Sequence, residues 1–192
     1  MSELLTRKQN RLPNYDYSST GIYFVTICSN DRKNIFAEFD NKNIVGTGLV
    51  PVRIELTKIG EIIDKQWRDI ANHCHNVEID EFIVMPNHIH GIIIINKQDG
   101  ANNRIATRTS TRTAARAVPT ISNIIGSFKS RCAVEYLTFI KENDLNVSGQ
   151  IWQRSFYDHI IRNERSLHSI REYILQNPEN WVNDKENINK TL

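Results

Sequence analysis

Two β-rich runs, VEIDEFIVM (77–85) and HIHGIIIIN (88–96), are separated by only Pro86 and Asn87. A two-residue turn between runs of that length leaves an antiparallel hairpin as the arrangement that keeps both in register. An isolated hairpin is marginal in water, so the rest of the chain must cover it. IYFVTIC (22–28) is rich in β-branched and aromatic residues and reads as a further buried strand. Ile59, Ile62, Ile63, Trp67 and Ile70 recur at helical spacing after Thr57, a fitting N-cap. A second helix is expected from Ile121, Ile124, Ile125, Phe128 and Cys132, with Ser122 near its cap and a looser stretch running to Gly149. A short strand follows at about 158–162, and Leu167, Ile170 and Ile174 mark a third helix that should end at Asn177, because Pro178 disfavours its continuation.

The order strand, helix, strand, strand, helix, strand, helix is the split βαβ pattern of an α+β, ferredoxin-like or RNA-recognition-motif-like antiparallel sheet, with helices on one face and an additional C-terminal helix. The chain reads as one domain with a core over about 12–181. Residues 30–53 read as a connection with a short hairpin at the GTG of 46–48, and the polar tail 184–192 is expected to fray. A low-complexity insertion at about 101–118 places Arg104, Arg108, Arg112 and Arg116 every fourth residue among threonines that oppose a stable helix.

The 24 Lys and Arg against 22 Asp and Glu give a net charge of +2, which argues against bulk electrostatic coating of nucleic acid. Any basic site must be local, and between Gly100 and Val134 there are six basic residues and no acid. The longest apolar run, Ile92 to Ile95, falls far short of the roughly 20 residues that span a membrane. The start, MSELLTRKQNR, has no apolar segment of a secretory signal, and Cys28, Cys74 and Cys132 form no CxxC pair. A cytoplasmic, reducing location is the expectation.

His88 and His90 flank Ile89 on an expected strand, so their imidazoles share one face and can hold a divalent cation between them. His73 and His75 form a rival pair, but at a helix end residues two apart diverge by about 200°. Capping or solvent exposure suits that pair better.

The string MPNHIHGIIII, taken with IWQRSFYDHIIRNERSLHSIREYILQNPENW and the opening YDYSSTGIYFVTIC, resembles the single-tyrosine HUH transposases of the insertion-sequence-200 type, and among them the REP-associated tyrosine transposases. The resemblance covers about 12–181, and the Arg/Thr insertion departs from it. It implies that His88 and His90 are the HUH metal ligands, that Tyr173 on the last helix is the nucleophile, and that Asn177, one turn later, is a third ligand. It further implies metal-dependent cleavage and rejoining of single-stranded or hairpin DNA through a 5′-phosphotyrosine link, with Mg2+ or Mn2+ as cofactor. Monomer and homodimer both stay open. Lys129, Arg131, Arg154 and Arg162 are the expected DNA contacts, with Phe156 or Trp152 as stacking platforms. Tyr157 reads as a packing or DNA-contact residue, and His159 as a structural one. The alternative is a non-catalytic nucleic-acid-binding module derived from such an enzyme. It would need a broken set of active residues, whereas His88, His90, Tyr173 and Asn177 are all present.

Overall fold

The structure, a computed structural model, describes residues 20–39, 53–97 and 119–187. The insertion at 101–118, the turn expected at 46–48, the opening through residue 19 and the tail beyond 187 lie outside the described residues. In chain order the elements are β1 (Gly21–Cys28), β2 (Ala37–Phe39), β3 (Ile54–Leu56), α1 (Lys58–Arg68), α2 (Ile70–His73), β4 (Val77–Val84), β5 (His88–Ile95), α3 (Ile121–Glu142), β6 (Tyr157–Ile161) and α4 (Glu164–Gln176). The main sheet has the order β4-β5-β1-β6 and every pairing in it is antiparallel. This is the ferredoxin-like arrangement, with the sequential hairpin β4–β5 on one side of the first strand and the last strand on the other. β2 and β3 form a separate two-stranded ribbon.

Helices cover both faces of the sheet, which is why β1 reads as a continuous apolar run rather than an alternating one. Tyr23, Val25 and Ile27 point to one face, where Ile89, Ile93 and Ile95 of β5 join the buried sides of α1 and α3. The residues in between point the other way: Phe24, Ile92 and Ile161 meet Leu167 and Ile174 of α4. The first face holds the large core and the second a smaller one. None of the described helices is long and apolar enough to cross a membrane.

Capping follows local chemistry. The Thr57 hydroxyl accepts from the Gly60 amide at 3.2 Å and starts α1, and the Asn163 side chain accepts from the Ser166 amide at 2.9 Å and starts α4. The apolar spacing that ran on to Ile70 is broken at Asp69, where α2 begins. Two expectations are corrected for α3. Its cap is Thr120 rather than Ser122, with the Thr120 hydroxyl accepting from the Asn123 amide at 3.2 Å. Its length is 22 residues, reaching Glu142, because the half expected to be loose exposes Val134 and Leu137 and so shows no apolar stripe. A third correction concerns the tail. Through Asn187 it is not frayed: Asp184 and Glu186 are buried against the sheet end that carries the histidines.

Gly91, in the middle of β5, stands where a fifth branched residue would otherwise extend the run of four isoleucines. A Cβ there would sit 2.2 Å from Cζ2 of Trp67, a fully buried ring held between Phe82 and Phe128. Gly91→Ala is therefore expected to destabilise the fold by about 1–3 kcal/mol, the usual cost of overpacking. A urea denaturation midpoint equal to that of the unaltered protein would show that Trp67 can move aside.

Candidate active site

The register of β1 against β5 pairs Cys28 with His88 and Thr26 with His90. Both histidines therefore share the parity of Ile92 and face α4, and both are completely buried. Their Nε2 atoms lie 3.0 Å apart. The opposite nitrogen of each ring is already engaged. His88 Nδ1 meets Asn87 Oδ1 at 2.8 Å, while the Asn87 amide nitrogen donates to the carbonyls of Glu186 at 2.8 Å and Arg32 at 3.2 Å. Two carbonyl acceptors fix the orientation of that amide, so its oxygen must accept a proton from His88 Nδ1. The Nε2 lone pair of His88 is left facing the centre. The Thr26 hydroxyl lies 2.9 Å from Nδ1 of His90 and can serve the same end.

Burial pushes the pKa of His88 down to about 4 and that of His90 well below its ordinary value, the neighbouring His88 charge adding to the second. Both rings are thus neutral at pH 7, the form that ligates a metal. Tyr173 of α4 places its hydroxyl 3.2 Å from Nε2 of His90, with its ring edge-on to Phe24. It is 39% exposed, so the hydroxyl sits at the mouth of the site rather than inside it. Burial, followed by the negative charge of Asp184, raises its pKa to about 12.

Asn177, the C-cap of α4, is buried one turn beyond Tyr173. Its Nδ2 donates to Oδ2 of Asp184 at 3.0 Å, and its Oδ1 is buried with no partner among the described residues. Beyond α4 the chain doubles back as a strap. Trp181 lies over the His88 ring at 5.9 Å, and the Glu186 carboxylate pairs with Arg32 at 3.0 Å. Ligand atoms of His88, His90 and Asp184 all lie within 4.8 Å of one another. Two imidazole nitrogens 3.0 Å apart share either a proton or, at about 2.1 Å from each, a metal ion. The orphaned Asn177 oxygen and the fixed His88 tautomer fit the second arrangement.

The structure thus brings His88, His90, Tyr173 and Asn177 together. The four basic residues expected to grip DNA are spread more widely. Lys129, on α3, donates to the carbonyls of Gln153 at 2.8 Å and Ser155 at 3.1 Å, and burial lowers its pKa to about 8. Arg131 bonds Gln66 of α1 at 2.9 Å, on the helical layer across the sheet from the histidines. Arg154 and Arg162 are exposed on either side of β6. Trp152 packs on Phe36 and Phe128, and Phe156 packs against the larger core; both rings are half-buried. Tyr157 pairs with Thr26 across the sheet, on the histidine face, is 46% exposed, and has the Lys185 ammonium 5.5 Å from its ring centroid. His73 is held by Asp69 at 2.6 Å, away from the site. Asp184 was missed, because a lone acid in a polar tail carries no local pattern.

An uncharacterized protein of Haemophilus influenzae is 33% identical over 180 residues, 93% of this chain and 92% of that one, and the chain belongs to its family. No family model matches. Among solved structures, a REP-associated tyrosine transposase bound to a REP hairpin is similar with a TM-score of 0.52 at 18% identity, covering 89% of this chain and 74% of that chain. The fold is transposase-like.

The Tyr173 helix is tied to the hairpin by Arg171, which bonds Asp80 of β4 through Nε at 2.9 Å and again through Nη2. That pair holds the Asp80 carboxyl below its ordinary pKa of 3.8. A group with a lowered folded-state pKa stabilises above its unfolded value and loses that contribution as pH falls through the folded one. Asp80→Asn should therefore lower the melting temperature by a few degrees at pH 7, with the gap to the unaltered protein closing below about pH 4. A gap unchanged down to pH 2 would show that the pair contributes no pH-dependent stability.

Proposed function

We propose that this chain is a metal-dependent transposase of the single-tyrosine HUH type, which cleaves and rejoins single-stranded DNA at hairpin or palindromic sequences. The observation that carries this reading is the placement of the Tyr173 hydroxyl 3.2 Å from Nε2 of His90, at the open side of a buried, neutral histidine pair. Similarity in fold to a transposase bound to a hairpin supports it.

In this reading Oη of Tyr173 attacks the scissile phosphorus. The new Oη–P bond forms as the bond to the 3′ oxygen breaks, which leaves a 5′-phosphotyrosine and a free 3′-hydroxyl. The phenolic proton passes to solvent and the departing oxygen takes one up. One phosphodiester replaces another, so no nucleotide cofactor is consumed. His88, His90 and Asn177 would hold a divalent ion, Mg2+ or Mn2+, which when bound would supply Lewis-acid polarisation of the phosphate and offset charge on its oxygens. Thr26 and Asn87 keep the imidazole lone pairs aimed inward. Arg154 and Arg162 contact the DNA backbone, and the exposed Tyr157 ring offers a stacking face for an unpaired base. Lys129 and Arg131 contribute to grip only where DNA reaches the α3 side.

Tyr173→Phe keeps the apolar packing and removes the hydroxyl. It should bind a single-stranded hairpin oligonucleotide from the DNA flanking the gene, yet form no adduct that survives denaturation. The unaltered protein with Mg2+ or Mn2+ should nick that oligonucleotide, spare its duplex form and carry the DNA on the peptide containing Tyr173. Tyr157→Phe should retain the adduct. Mass spectrometry placing the phosphotyrosine on Tyr157, or an active Tyr173→Phe protein, would overturn the assignment.

A further inference from the structure

The proposed divalent site takes its donors from two neutral imidazoles and a neutral amide, a set with no negative charge. Magnesium and manganese ions are hard cations that favour carboxylate oxygen. Asp184 supplies that charge in the right place. Its carboxylate is buried, and one of its oxygens lies within 4.8 Å of a ring nitrogen of each histidine. Its described donors are both neutral amides: Nδ2 of Asn177 at 3.0 Å and the backbone N–H of Glu186 at 2.6 Å. A carboxylate has about four lone-pair sites, so two remain. Buried charges are paired or coordinate metals, and the second acid of the same strap shows the contrast. Glu186 has its own counter-charge in Arg32, 3.0 Å away, whereas Asp184 faces the histidines.

We propose that Asp184 is a ligand of the divalent ion alongside His88 and His90, and that the strap following α4 is part of the active site. The inference rests on the reading of the histidine pair as a metal centre. It differs from that reading in drawing an anionic ligand from beyond the tyrosine helix.

Calorimetric titration of the full chain with manganese chloride, without DNA, tests it. The unaltered protein should bind one ion and His88→Ala none. Asp184→Asn keeps the shape and removes the charge, and should weaken binding at least tenfold, the lower end of what even an outer partner of a ligand costs. Glu186→Gln removes the same charge from the same strap and should stay close to the unaltered affinity. Asp184→Cys should shift preference toward cadmium, with a thiolate-to-cadmium charge-transfer band absent from the unaltered protein. Full manganese affinity in Asp184→Asn, an equal loss in Glu186→Gln, or no such band would each overturn the role of Asp184 while leaving the histidine pair intact. Undiminished binding by His88→Ala would instead overturn the metal centre itself.

Discussion

Two imidazoles buried with their Nε2 atoms 3.0 Å apart are an expensive thing to place between a sheet and a helix. Burial denies them charge, and the close approach turns the two Nε2 atoms onto one another. The surrounding structure is arranged around that cost. Thr26 comes from the central strand, Asn87 from the turn that starts β5, and the carbonyls that orient Asn87 come from the connection after β1 and from the strap. Four separate segments therefore meet at one pair of rings.

The sheet separates stability from chemistry by alternation along single strands. On β5, Ile89, Gly91, Ile93 and Ile95 serve the large core against α1 and α3, while His88, His90 and Ile92 face α4. The same division operates on β1, where Tyr23, Val25 and Ile27 alternate with Phe24 and Thr26. A one-residue slip in the β1–β5 register would exchange the two sets, burying histidines among α1 and α3 and exposing isoleucines. The Trp67 ring lying over Gly91 makes such a slip costly, because any side chain moved to that position would collide with it. Packing on the structural face thus fixes the geometry of the chemical one.

This division also explains what could be read from the residues in order. The shared face of the histidine pair was legible from strand alternation, whereas Tyr173 and Asn177 stood out only through the family resemblance, with their four-residue spacing agreeing with one helix face. The fold follows from the same alternation of short elements. Asp184 could not be found that way. Its placement depends on a chain reversal after Pro178 and on anchors contributed by Arg32 and Asn87, both remote in sequence. The outer half of α3 was hidden for a different reason: with Val134 and Leu137 exposed, it lacks the stripe that marks a helix by burial. Trp152 and Phe156 are half-buried against the larger core, while Tyr157, next to Phe156 on alternating backbone, is the more exposed ring.

Electrostatics ties the strap to the tyrosine. The Asp184 charge acts on the Tyr173 hydroxyl in the same direction as burial, and together they hold it protonated to about pH 12. A phenol so held is a weak nucleophile at neutral pH on the strength of its own surroundings. Negative charge placed beside it serves catalysis only if it recruits positive charge, which then stabilises the oxyanion more than the carboxylate opposes it. Asp184, which raises the tyrosine pKa in the protein alone, is also the residue proposed above to attract the cation.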